Sequence, residues 1–305
     1  MKKGIEHRSR FKSILLTIAA SFFVIFVIIP LTFSAFDGSK IGNIARIPIE
    51  GAITGSVGSS LGSATVSSKN IVEFVKKADE NSRVKVILLE INSPGGSAVA
   101  SDEIASAVKK ANKPVVALIR EAGASGGYWI ASAADHIIAN RMSITGSIGV
   151  ISSYLEFSGL MKEYGVGYER LVAGENKDIG VPLRKLENNE RKILQSKLDK
   201  IHDFFIQGVA ENRKMEFSEV QKVATGEFYL GVEALELGLV DQLGDADTAE
   251  EYMKHNYGLE KIDYVVYRKE TGLFDIFGGV MSRMFFSMGE GIASVFVRNN
   301  NLIST

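Results

Sequence analysis

Apolar residues fall along this chain in three patterns, and each predicts a different kind of element. From Ser13 to Phe36 there is no charged residue. At ~1.5 Å per helical residue, the run ILLTIAASFFVIFVIIPLTFSAF is long enough to cross a hydrocarbon core of ~30 Å. A cleaved signal peptide has a shorter apolar region of roughly 7 to 15 residues, so the run is predicted to be a transmembrane helix, although Phe33-Ser34-Ala35 offers small residues for a cut. Val84 to Ile91 (VKVILLEI) and Pro114 to Ile119 are apolar runs of strand length, and Ser101 to Lys110 between them has helical spacing. Together they predict a βαβ unit and a buried parallel sheet. His136 to Ala139, Arg170 to Ala173 and Lys261 to Tyr267 read as further short strands.

Helical periodicity predicts the rest. Ile71 to Ala78 and Asp247 to His255 read as helices. In Asn188 to Arg213, Leu194, Leu198, Ile201, Phe205 and Val209 recur in steps of four and three, which predicts an amphipathic helix burying one face. The Gly/Ser-rich stretch Gly51 to Ser68 reads as a mobile loop, and no repeat of fixed period is present. Near the end, Leu273, Phe277, Val280, Met284, Phe285, Met288, Ile292 and Phe296 form a stripe at helical spacing that Gly278, Gly279, Gly289 and Gly291 weaken. That tail reads as a helix packed on the body or a neighbouring subunit, a bilayer-surface segment, or a mobile tail able to reach a site. The expected organisation is a basic N-terminus over 1–12, an anchor over 13–36, a folded body over 37–268 and an apolar tail over 269–305.

Charge sets the orientation. The net charge of −1 hides a balance of +4 in residues 1–12, from Lys2, Lys3, Arg8, Arg10 and Lys12 against Glu6, which leaves the remaining 293 residues at −5. Basic residues preceding the apolar run predict a cytoplasmic N-terminus and a body on the extracytoplasmic side. A body of that charge is not a nucleic-acid binder. With no cysteine, disulfides, thiolate catalysis and cysteine-based zinc sites are excluded. His7, His136, His202 and His255 are not in any paired metal-ligand spacing, so neither a metal centre nor a cofactor is expected.

Two strand-to-helix turns carry candidate chemistry. Strand Val84 to Ile91 runs into Asn92-Ser93-Pro94-Gly95-Gly96-Ser97, where adjacent glycines leave backbone amides unshielded, as an oxyanion hole needs. A tight turn without function has the same composition. Strand Pro114 to Arg120 ends in Glu121-Ala122-Gly123-Ala124-Ser125-Gly126-Gly127-Tyr128, which sets a serine among small residues where a substrate backbone can approach. The alternative for Ser125 is a helix N-cap, worth ~1 kcal/mol to the first turn. Ser106-Ala107-Val108-Lys109 matches an SxxK spacing, but partner SDN and KTG motifs are missing and the four residues fall in an ordinary amphipathic helix. Asp102 and Glu103 read as acids at a helix N-terminus, and His136 as structural.

The ordered set Asn92-Ser93-Pro94-Gly95-Gly96, Ala124-Ser125-Gly126-Gly127-Tyr128, Thr145-Gly146-Ser147-Ile148-Gly149-Val150, Ala173-Gly174-Glu175-Asn176-Lys177-Asp178 and Gly238-Leu239-Val240-Asp241 with Gly244-Asp245 resembles the signatures of the signal peptide peptidase A family over roughly residues 43–268. The resemblance implies a fold of the Clp protease/crotonase type, an α/β stacked β-β-α spiral. It implies Ser125 as nucleophile, Lys177 as general base and Ser147 as the serine that orients the lysine. Oxyanion amides would come from Gly95, Gly96 and Gly126. A lysine serves as base only if its pKa falls by roughly 3 units, ~4 kcal/mol, which needs burial away from water and carboxylates, so Asp178 is expected to point elsewhere. Double-length members of the family divide serine and lysine between their halves. A single-length chain is therefore expected to form a ring-shaped homo-oligomer in which Ser125 of one subunit meets Lys177 of the next. Peptide substrates are implied, either cleaved signal peptides or other short membrane-released peptides. The alternatives are a membrane Ser/Lys protease of the stomatin-cleaving kind and an inactive crotonase-like scaffold that binds peptides.

Overall fold

The computed structural model describes residues 42–56 and 65–268, together with Thr17, Ala20, Ser21, Phe23 and Val24. The predicted basic N-terminus, most of the predicted anchor and the apolar tail lie outside the described residues. Among the described residues no helix is long and apolar enough to cross a membrane. The compact unit ends at Tyr267.

In chain order the described residues form β1 (Ile44–Glu50), β2 (Ala52–Thr54), β3 (Thr65–Ser67), α1 (Ser68–Glu80), β4 (Val86–Ser93), α2 (Ala98–Lys109), β5 (Val115–Ala124), α3 (Gly126–Ser132), β6 (His136–Ala139), β7 (Ile144–Gly146), α4 (Ser158–Glu163), α5 (Asn188–Arg213), α6 (Phe217–Val223), β8 (Phe228–Leu230), α7 (Gly231–Glu236), β9 (Gln242–Leu243), α8 (Ala246–Tyr257) and β10 (Tyr264–Val266). The main sheet runs β10-β1-β4-β5-β6-β9, with β7 joined to β5 and β8 to β7. Every pairing in it is parallel except β7 with β8. The result is an α/β architecture around a mostly parallel sheet, as the βαβ pattern predicts.

Alternation along the central strands divides the core between the two faces of the sheet. Ile87, Leu89 and Ile91 of β4 pack with Ile71 and Val75 of α1 and Ile104 of α2 on one face. Val86 and Leu88 pack with Ala249 and Met253 of α8 on the other. Pro48 is tolerated inside β1 because its missing N–H would point to the β10 side, and that ladder ends at Arg46.

Three expectations are corrected. The stretch read as a mobile loop contains β2 and β3, paired in parallel. Buried Ile53 anchors β2: its amide donates to Gly95 O and its carbonyl accepts from the Ser97 amide, both at 2.9 Å. Arg170 to Ala173 is not a strand, because Arg170 is drawn into an ion cluster with Asp178 rather than into a ladder. Asp102 and Glu103 fall in the second turn of their helix, which begins at Ala98 behind an Ser97 cap that accepts from the Ala100 amide.

Candidate active site

Strand β5 changes partners part-way along. Its first half pairs with β6 from Val116 to Ile119, and Ala122 to Ala124 pairs instead with β7. The register on β4 shifts at the same point. Beside this irregularity buried Ser143 shares its one hydroxyl proton between two β5 carbonyls, Arg120 O and, at 3.3 Å, Ile119 O. The redirected end of β5 is held by the Thr145 hydroxyl on Gly123 O at 2.8 Å, and it delivers Ser125 to the mouth of a cleft.

Ser125 occupies the N-cap position of α3 but makes no side-chain capping bond. Its backbone is held at φ 51°, an uncommon conformation for a residue with a Cβ, by an amide bond to Gly146 O of 2.8 Å. A hydroxyl not committed to capping is what separates a nucleophile from a structural cap. Crowding around it explains the small neighbours. A Cβ on Gly126 would lie 2.2 Å from the Ser101 hydroxyl, and one on Gly127 would lie 2.8 Å from Ser93 O.

The PGG turn packs directly against this serine. Gly95, at φ 100°, leaves no room for a side chain: a Cβ there would sit 2.8 Å from Ser125 Cβ and 2.7 Å from the Gly126 nitrogen. Its amide donates to Ser93 Oγ at 3.1 Å. The Gly96 amide is differently placed, because the β2 bridge uses only its neighbours Gly95 and Ser97. The Gly126 amide, first in α3, has no intrahelical acceptor, and a Cβ on Gly126 would be 3.4 Å from the Gly96 nitrogen. Of the three glycines named from the sequence, Gly96 and Gly126 thus offer neighbouring open amides beside Ser125, while Gly95 permits the close approach.

Ser147 follows immediately from β7, also at positive φ (49°), with its hydroxyl donating to Gly226 O at 3.2 Å and its amide to Glu227 O at 2.9 Å. Ser125, Gly96, Gly126 and Ser147 line one cleft of about 750 Å³. Its apolar wall comes from Trp129 and from Leu198, Ile201 and Phe205 of α5. The Trp129 and Phe205 rings stack at 4.6 Å, 10° from parallel. The α5 periodicity marks these residues as core; the same helical spacing at 198, 201, 202 and 205 also brings His202, which the apolar pattern does not single out, to the cleft, where Nε2 lies 3.2 Å from Ile148 O.

Lys177 is exposed and does not line this cleft within one chain. It lies between β7 and α5 in a segment whose side chains are mostly exposed, with α4 as the only helix there among the described residues. Asp178 does turn to other partners, Arg170 at 2.7 Å and Arg184 at 3.0 Å. These guanidinium groups hold its carboxyl far below the usual range, and Arg184 with the Glu187 amide holds Glu190 at about 2. The other residues weighed from the sequence are structural. Lys109 pairs with Glu211 at 3.1 Å, and His136 stacks on Tyr252 at 3.8 Å with Nε2 3.2 Å from Gln242 Oε1.

Residues 107–260 match peptidase family S49. The chain is 34% identical over 230 residues to the putative protease MJ0651 of Methanocaldococcus jannaschii, covering 74% of this chain and 72% of that protein. It is 35% identical over 239 residues to a putative signal peptide peptidase SppA of Enterococcus faecium, covering 77% and 70% respectively. This chain is a member of peptidase family S49. The chain is also 34% identical over 211 residues to the longer Protease 4 of Haemophilus influenzae, of which the match covers 33%. Membership makes the protein a peptidase of the signal peptide peptidase A group, and the S49 match spans Ser125, Ser147 and Lys177.

Proposed function

We propose that this S49 peptidase is a membrane-anchored serine endopeptidase that hydrolyses peptides, cleaved signal peptides among them, through an acyl-enzyme on Ser125 with Lys177 as general base. The observation that carries the reading is the setting of Ser125, with an uncommitted hydroxyl, a constrained positive φ and the adjacent open amides of Gly96 and Gly126. In the reaction, the Ser125 oxygen attacks the scissile carbonyl while the neutral Lys177 amine takes its proton. The carbonyl oxygen gains negative charge and receives the two amides. The protonated lysine then gives its proton to the leaving amine, and water attacks the acyl-enzyme by the same route. Ile151, Leu198 and Ile201 of the cleft favour substrates with apolar side chains, as signal peptides have. Ser147, beside Ser125 through the Gly146 carbonyl, would fix the lysine amine.

The exposed position of Lys177 supports completion of each site by a neighbouring subunit in a ring, a heterologous contact of the kind that closes cyclic assemblies. The apolar segment 13–36 would hold the body on the extracytoplasmic face. Succession of β4–α2 and β5–α3 layers accords with the stacked spiral of the Clp/crotonase type. A second reading rests on His202, the base that lines the cleft of Ser125 in the single chain. Its contact with the Ile148 carbonyl favours a tethering role.

Alanine variants decide between them. Ser125→Ala and Lys177→Ala are expected to abolish hydrolysis of a fluorogenic peptide, and Ser125→Ala to abolish labelling by a fluorophosphonate, with folding intact by circular dichroism. His202→Ala should retain most turnover. Full activity in Lys177→Ala with loss in His202→Ala would replace the lysine by the histidine.

A further inference from the structure

Little apolar packing shapes the segment that carries Lys177, since most of its side chains are exposed. Charge does so instead. Asp178 accepts from Arg170 Nε at 2.8 Å and Nη2 at 2.7 Å, and from Arg184 Nε at 3.1 Å and Nη2 at 3.0 Å. The same Arg170 Nη2 donates to Glu175 O at 2.8 Å, so one guanidinium grips the chain on both sides of Lys177. Arg184 reaches on to Glu190, with Nη1 2.8 Å from Oε2 and Nη2 2.5 Å from Oε1. Glu190 is 3% exposed and accepts from the Glu187 amide at 2.9 Å in a reciprocal capping box at the start of α5. Planar, bidentate pairs of this kind fix orientation as well as distance.

Helix α5 carries the connection to the nucleophile. From Glu190 it runs to Phe205, about 22 Å at the rise of an α-helix, where the ring stacks on Trp129 of α3, the helix that Ser125 opens. The turn bearing Lys177 is closed on itself by its amide on Gly174 O at 3.0 Å and by the Val181 amide on Asp178 O at 3.0 Å. Gly174 and Gly180, at φ 93° and 81°, bound it. Nothing in this arrangement binds the lysine amine itself, and the nearest carboxylate in sequence is fully occupied by two arginines. An unoccupied Asp178 could pair with the amine and keep it protonated.

We propose that Arg170 and Arg184 are positioning residues for the base: with Asp178 and Glu190 they clamp the Lys177 turn to the first turn of α5 and keep the Asp178 carboxylate away from the amine. The proposal rests on the reading of Lys177 as general base. The test uses the full-length assembled protein and a fluorogenic peptide substrate. Arg184→Gln is expected to lower kcat at least tenfold with KM within twofold of wild type, and with unchanged assembly in analytical ultracentrifugation. Asp178→Asn should behave likewise, while Asp178→Glu, which keeps an acceptor for both guanidinium groups, should recover much of the loss. If Arg184→Gln fails to assemble, Arg170→Gln carries the same test, because it releases the Glu175–Asp178 turn and leaves the bonds to α5. A kcat within twofold of wild type in these variants, alongside an inactive Lys177→Ala, would overturn the clamp and spare the dyad. An active Lys177→Ala would overturn the dyad, and with it the positioning role.

Discussion

At the scale of single residues, the site depends on backbone shape more than on side-chain reactivity. Gly96 is the sharpest case. A Cβ there would lie 2.1 Å from Ile53 O and 2.7 Å from Ile53 N, both backbone atoms of the β2 strand that cannot rotate away. Gly96→Ala must therefore move the PGG turn, and the amide that turn offers moves with it. Overpacking of this kind costs about 1–3 kcal/mol, a tolerable loss for a domain with this core, whereas removing one oxyanion donor costs about 10²–10³ in kcat. The expected outcome is a folded protein with a modestly lowered Tm and a kcat down by about that factor, read by thermal unfolding and peptide hydrolysis. Unchanged kcat in a folded Gly96→Ala variant would remove Gly96 from the mechanism. Ser125 and Ser147 make the same point, because both serines stand at positive φ, a strain usually found where geometry serves function.

At the scale of elements, the sequence was legible wherever burial alone sets the structure. The β4–α2–β5 unit and the limits of α5 follow from hydrophobic period, and Ser125 and the glycine pair follow from strand-to-helix turns rich in small residues. The switch of β5 from β6 to β7 was not legible, because it depends on Ser143 and Thr145 satisfying carbonyls about two dozen residues away in sequence, a contact with no local pattern. Nor was the clamp on Asp178, since Arg170 in a short apolar run reads as strand until its partner is known. The extent of helix α5 follows from its periodicity, but its burial follows only in part. Its first half is largely exposed, and the buried stripe begins at Phe205, continuing through Ile206, Val209 and Ala210. Phe205 is thus where the helix is fastened to α3. Phe205→Ala is expected to destabilise by about 3–5 kcal/mol, since it empties a fully buried aromatic site. Trp129, the sole tryptophan of the sequence, loses its stacking partner in that variant, so urea unfolding followed by its fluorescence reports the change. A loss under about 1 kcal/mol would mean that the stack does not fasten α5.

At the scale of the whole molecule, one chain holds both halves of the proposed chemistry without joining them. The serine, its two amides and an apolar wall share one cleft, whereas the lysine stands outside it on a segment whose large hydrophobic side chains are left open, Leu171 at 97% exposure, Tyr164 at 74% and Leu155 at 72%. Such residues on a monomer form a surface that asks for a partner, and a ring in which each subunit lends its lysine to the next would cover them. Mixing two inactive variants tests this directly. Ser125→Ala keeps the lysine and Lys177→Ala keeps the serine. If each site takes one residue from each of two neighbours, refolding the variants together gives an intact pair wherever a Lys177→Ala subunit meets the lysine of a Ser125→Ala subunit. Random assembly then restores about a quarter of the sites, because each of two independent positions is correct half the time in a head-to-tail ring. Hydrolysis should reappear in the mixture and in neither parent, and fluorophosphonate should label only the subunits that retain Ser125. If serine and lysine of the same chain work together, no arrangement of the two variants contains an intact pair. The mixture would then stay as inactive as its components, and the shared site would be refuted while each single-variant result stood.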